Sequence, residues 1–208
     1  MVMDIPAIYC VYRSGAVRSA PVRMEGTSIS FESEPKRTEF SAKEADYRVQ
    51  ILAVDMRGLA RNELDSRLLT NMEFPGCDVW FLTCIKDIED VFDSFIEDIT
   101  KVLIPYHSAR NDLVLEEAYD MSENCIPLLF VSKGKAICRK GEERDVRAAA
   151  EDISKIGFWE IAILDTDSSL TAYDWSSLHN RFPGLIPFVR KKSGPAEGIG
   201  FEKIIFDL

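Results

Sequence analysis

Three aspartates and one histidine are the residues of this chain best placed to move a proton. Asp55 ends the apolar run 49–54, and Asp165 ends the run 161–164, so each closes a strand-like segment. Asp167 lies two residues beyond Asp165, and His107 sits in the loop sequence Pro105-Tyr106-His107-Ser108-Ala109-Arg110. Carboxylates at strand ends could form an acid–base pair or hold a cation. The same residues could equally accept hydrogen bonds from loop N–H groups or cap the next helix. His107 is a proton carrier by type, or an ordinary exposed loop histidine. Together with Arg110 it could hold an anion at the start of the helix that follows. Cys84, between Thr83 and Ile85, needs a base to become a nucleophile, and His107 is the histidine placed to serve it. The alternative for Cys84 is a small buried hydrophobe. Arg190-Lys191-Lys192 is the one tight basic run. It could grip an anion with side-chain cations, or be a solvated loop. Arg57 and Thr171 complete the strand-end set. The catalytic candidates are therefore Asp55, His107, Asp165 and Asp167. The ligand-binding candidates are Arg57, Thr83, Cys84, Arg110, Thr171, Arg190 and Lys191. No His, Cys, Asp and Glu set has metal-site spacing, and no cofactor motif is visible.

The elements that must position these residues alternate. Ile126 to Val131 has strand length and is followed by the turn Ser132-Lys133-Gly134-Lys135. Val146, Ala149, Ala150, Ile153 and Ile156 then fall on one helix face, and Gly157 ends that helix. Phe158 to Leu164 returns as a buried strand. This is a βαβ unit, which is right-handed in nearly all proteins. The rhythm repeats to give eight strands: Ile5–Tyr12, Val49–Asp55, Val79–Leu82, Lys101–Ile104, Ile126–Val131, Glu160–Asp165, Leu185–Val189 and Lys203–Phe206. Asn62 caps a helix through Leu64, Leu68, Leu69 and Met72. Asp87 begins the helix of Val91 and Phe92. Asn111 caps the helix of Val114, Leu115 and Ala118. The segment 16–46 reads as a long loop or hairpin with a weak helix from Glu34 to Asp46. Neither a GxGxxG nor a GxxxxGK[ST] pattern follows any strand, which counts against a nucleotide-binding doubly wound fold. The expected fold is an α/β class (β/α)8 TIM-like barrel, a single domain over 1–208. It is degenerate, with the final helix missing and the seventh vestigial. In such a barrel the site lies at the C-terminal ends of the strands.

Composition narrows the partners. The 208 residues carry a formal net charge of −10, which argues against a general nucleic-acid surface. No apolar run reaches the roughly 18 residues of a membrane span, and the N-terminus lacks a basic start. The cysteines Cys10, Cys77, Cys84, Cys125 and Cys138 are odd in number and form no CxxC pair. They read as reduced thiols of a cytoplasmic protein. A missing last helix would leave the outer face of the first and last strands uncovered, which predicts a homodimer.

Six stretches then fall in a familiar order. Pro6-Ala7-Ile8-Tyr9 precedes Ser14-Gly15-Ala16-Val17. Val54-Asp55-Met56-Arg57-Gly58-Leu59 closes strand two. Leu82-Thr83-Cys84-Ile85-Lys86-Asp87-Ile88-Glu89-Asp90-Val91 spans the third strand and loop. Val102-Leu103-Ile104-Pro105-Tyr106, Leu128 to Lys135, and Ile161 to Thr171 follow. In order and spacing they resemble the phosphoribosyl isomerase of histidine biosynthesis and its cyclase-subunit relative, barrels with twofold internal repetition. The resemblance spans nearly the whole chain. It implies a site for a phosphorylated metabolite and two catalytic aspartates, at the ends of strands one and five. Those positions here are Tyr9 and Phe130, and phenylalanine cannot transfer a proton. The family's glycine-rich phosphate loops are replaced by Thr83-Cys84 and by Val189-Arg190-Lys191-Lys192. A retained isomerase would require Asp55, Asp165 and Asp167 to have taken over. The expectation is a divergent barrel that binds a phosphorylated small molecule and has lost the ancestral isomerase activity. If it is an enzyme, its activity is of sugar-phosphate isomerase or lyase type. The alternative is a non-catalytic structural or protein-interaction barrel, its centre filled by Tyr9, Phe130 and their bulky neighbours.

Overall fold

The eight apolar runs become eight parallel strands, each too short and too uniformly apolar to be an amphipathic helix. The computed structural model describes residues 2–38, 40, 42, 48–96, 99–191 and 193–208. The strands are β1 (Met3–Arg13), β2 (Val49–Asp55), β3 (Cys77–Leu82), β4 (Ile99–Pro105), β5 (Cys125–Ser132), β6 (Ile161–Asp165), β7 (Leu185–Val189) and β8 (Lys203–Asp207). Each pairs in parallel with the next. β8 then pairs in parallel with β1, Ile5 opposite Ile205, and closes the barrel.

Six α-helices stand between strands among the described residues: α1 (Met56–Arg61) and α2 (Ser66–Asn71) after β2, then α3 (Ile88–Ser94), α4 (Leu113–Met121), α5 (Val146–Ile156) and α6 (Ala172–Arg181). The architecture is a TIM-like α/β barrel. From Arg190 to Glu202 the described residues form bends and turns. The side-chain period of two divides the strands between two cores. Ile8, Ile51, Ala53, Phe81, Ile104, Leu129 and Ile163 face the helices. Tyr9, Leu52, Trp80, Leu103, Leu128, Phe130, Leu164, Phe188 and Ile205 fill the lumen.

Several local expectations change. The stretch after β2 is two short helices, not one. Asn62 ends α1 with φ 52° instead of starting a helix, and Asp65 caps α2 through the N–H groups of Arg67 and Leu68. Asp112, not Asn111, occupies the cap position of α4. β6 begins at Ile161, so Trp159 lies before it and is 68% exposed. The outer face of β1 and β8 is largely covered: Pro6, Ile8, Cys10 and Ile204 are buried, and Ala196, Phe201 and Ile204 belong to the outer core. The expected weak helix from Glu34 to Asp46 contains a short strand at Lys36–Arg37, and residues 39, 41 and 43–47 lie outside the described residues.

β1 and β5 share a device. β1 runs past the barrel rim and folds back on Ala16–Ser19 through Ser14 and Gly15, both at positive φ. β5 does the same onto Lys135–Ile137 through Lys133 and Gly134, also both at positive φ. Two consecutive residues at positive φ suit the right-handed twist of a tight hairpin. Strands four apart in the barrel thus carry matching hairpins.

Candidate functional site

The C-terminal rim of the barrel is built over by a hairpin. Val22–Glu25 and Ser28–Phe31 pair antiparallel around Gly26, whose φ is 59°. Val22 and Ile29 turn their side chains into the lumen cluster, with Met24 and Phe31 packed against it. Period-two alternation gives the hairpin one apolar face, and that face covers the mouth. Beneath it lie Tyr9 at 4% exposure, and Phe130 and Phe188 at 0%. The tip of the hairpin reaches the second rim hairpin, because a Cβ on Gly26 would lie 3.7 Å from Ile137.

A polar latch fastens this cover. The Tyr9 hydroxyl donates to Asp207 Oδ1 at 2.5 Å. Arg190 Nε meets Asp207 Oδ2 at 2.6 Å, and Arg190 Nη2 donates to the Val22 carbonyl at 2.6 Å. One carboxylate at the end of β8 therefore ties Tyr9 of β1 to Arg190, just past β7, and Arg190 ties both to the hairpin. Burial raises the Asp207 carboxyl above the usual range, while Tyr9 and Arg190 pull it back. Burial, with the adjacent Asp207 charge, holds the Tyr9 phenol well above its ordinary value. Arg190, a residue of the basic run, is consumed within the fold.

The other candidates are placed as follows. Asp55 is fully buried and accepts from Gly58 N at 2.8 Å, Asp65 N at 3.1 Å and Thr83 Oγ1 at 2.7 Å. Burial raises its carboxyl against those three bonds. Asp165 accepts from Ser169 N, Ser169 Oγ and Leu170 N between 2.9 and 3.1 Å; burial raises it too. Asp167 accepts from Ser132 Oγ and Lys133 N and joins the β5 turn to the β6 loop. These three carboxylates organise loops.

Arg57 lies 3.8 Å from Asp65, and Arg110 lies 3.3 Å from Asp87. Thr171 caps α6 in a reciprocal pair with Asp174. Cys84 is buried beside Ser108, and burial raises its thiol. No hydrogen bond joins it to His107 among the described residues, so the structure does not bring a cysteine–histidine dyad together. His107 instead stacks edge-on against Phe130, ring centroids 4.7 Å apart, with a buried Nδ1 that has no partner. Burial lowers it to about 4, so the ring is neutral at pH 7. Lys191 is exposed. It lines a cavity of about 260 Å³ beside the β6 and β7 ends, with Asp165, Ser168, Arg190, Ser193 and Gly194.

Sequence reasoning missed Asp207 and the hairpin's position. Asp207 carries the signal that singled out Asp55 and Asp165, an aspartate directly after an apolar strand. The alternation through Ile29 and Phe31 marks a hairpin, but nothing local says which surface it covers. A scan against protein-family models and a search of curated proteins both return no match.

Proposed function

We propose that this chain is a divergent barrel of the histidine-biosynthesis isomerase kind that has lost isomerase chemistry and works as a non-catalytic interaction protein. The observation that carries the reading is the filled mouth. Tyr9, Phe130 and Phe188 occupy the upper lumen, and Val22 and Ile29 of the hairpin seal it. An Amadori-type rearrangement needs an acid and a base on either side of the sugar. Asp55, Asp165 and Asp167 each spend their lone pairs on loop donors. His107 is neutral and packed against Phe130. The ordered motifs, the matching rim hairpins and the helix-poor stretch between β7 and β8 support descent from such a barrel and its degeneration. Five free cysteines fit a reducing cytoplasm. We also propose a homodimer, seated not on the outer β1–β8 face, which is covered, but on the exposed apolar residues Val2 and Met3 at the start of β1.

The cavity at Lys191 favours a second reading, a phosphorylated small molecule held at the rim of β6 and β7 without turnover. Both readings are tested by incubating the protein with a phosphoribosyl aminoaldose and following ketose formation, alongside a thermal-shift titration. No turnover is expected. A melting temperature that rises with phosphorylated ligand, and no longer does in Lys191→Ala, selects the second reading. Measurable turnover overturns both.

A further inference from the structure

We infer that the flank formed by α3 and α4 is a docking surface for a basic amphipathic helix of another protein. The two helices pack side by side. In α4, Val114, Leu115 and Ala118 are buried against the barrel. Tyr119 stacks on Phe158, ring centroids 5.3 Å apart, and so marks the flank that faces α5. Leu113, Glu117 and Met121 follow one another at four-residue spacing along the opposite flank, and that flank borders α3. On α3, Val91 is buried while Phe92 is exposed, and Ile96, just past the end of the helix, is exposed as well. Phe92 is 73% exposed and Leu113 58%. Large side chains this open, carried on two helices that pack side by side, are where an apolar docking patch is expected.

The charge around the patch is predominantly acidic; Lys86 and Arg110 border it where the two helices begin, Arg110 held against Asp87 at 3.3 Å. Glu89, Asp93, Glu116, Glu117 and Asp120 are exposed, and neither 87–96 nor 111–125 contains a lysine or arginine. A second copy of this chain would bring the same acidic face, so like charges oppose self-association here. A helix with apolar anchors along one stripe and lysines or arginines beside them matches both features. Anchors seated between helices supply affinity, and complementary charge supplies rate and selectivity. The inference goes beyond the reading above and survives its failure, because this face lies on the flank of the barrel and not at its mouth.

The test uses the full chain and a fluorescent synthetic peptide of leucine and lysine patterned as an amphipathic helix. A scrambled peptide of the same composition serves as control, and anisotropy is the readout. Saturable binding is expected, weakening as salt rises. Phe92→Ser and Leu113→Ser should each weaken it about tenfold, the scale of one lost apolar anchor. Glu117→Lys should weaken it and flatten the salt dependence, and all three variants should melt as the parent does. Equal binding of the scrambled peptide, absence of binding, or indifference to these variants overturns the inference. So does self-association in sedimentation that Phe92→Ser abolishes, since the face would then belong to a second copy.

Discussion

Asp55 shows how a carboxylate that looks catalytic is used up. Three donors surround it, and Gly58 supplies one of them from the first turn of α1. A Cβ on Gly58 would overlap the Asp55 carboxylate and sit 2.7 Å from Thr83 Oγ1. Gly58→Ala should therefore destabilise the protein by more than about 2 kcal/mol, by displacing a buried, fully bonded charge. Denaturant titration measures the loss, and a change under about 0.5 kcal/mol, the surface-substitution scale, would show that the site relaxes freely. His107 makes a prediction of opposite origin. Its ring is held near 4 in the fold against roughly 6.5 when unfolded. The unfolded chain thus binds the proton first. Stability from this group is present above the unfolded value and is lost as pH falls from about 6.5 through 4, by up to about 3 kcal/mol. Asp55, Asp165 and Asp207 are raised in the fold and act in the opposite sense, losing stability as pH rises through their folded values. Comparing His107→Phe with the parent from pH 7 to 4 cancels the aspartates. The variant should lose less stability on acidification, and parallel curves would contradict the assignment.

At the scale of elements, the strands were legible because each is built on a short apolar run closed by a polar or turn residue. β2 and β7 have the bounds read from sequence, and the Ser14-Gly15 and Lys133-Gly134 turns were visible as turn pairs. The caps were less legible. Asn62 and Asp65 are both good helix-end residues, and only the backbone shows that the first ends α1 and the second begins α2. The rim hairpin was the largest loss. Its alternation reports that one face is buried, but a period of two carries no information about the partner surface. That partner is the lumen, reached through Val22 and Ile29. Replacing residues 20–32 with a Gly/Ser linker should leave the barrel folded and expose Phe130 and Phe188. A hydrophobic dye such as ANS should brighten with the variant while far-UV dichroism keeps its helical signal. Unchanged dye binding would mean that the hairpin covers nothing that matters.

At the scale of the whole molecule, closure of β8 on β1 gives every strand two neighbours and leaves one opening where barrels of this type work chemically. In this chain that opening is a continuation of the core. Tyr9, Asp207 and Arg190 fasten the rim where a substrate would enter, and none of the described aspartates stands free there. No helix among the described residues is long and apolar enough to cross a membrane. The net charge of −10 is distributed unevenly enough to leave the α3–α4 flank predominantly acidic, with Arg110 held against Asp87 at its edge. The central claim is that the mouth is packed core and not a gate. Hydrogen exchange on the backbone amides of 22–31 tests it most directly, because amides in packed core exchange only through global unfolding, whereas those of a lid exchange through local opening. The account predicts that the paired amides of this hairpin exchange at the rate of the barrel strands, and that Asp207→Asn accelerates them selectively. Fast exchange of the hairpin in the parent protein, with the strands still protected, would contradict it.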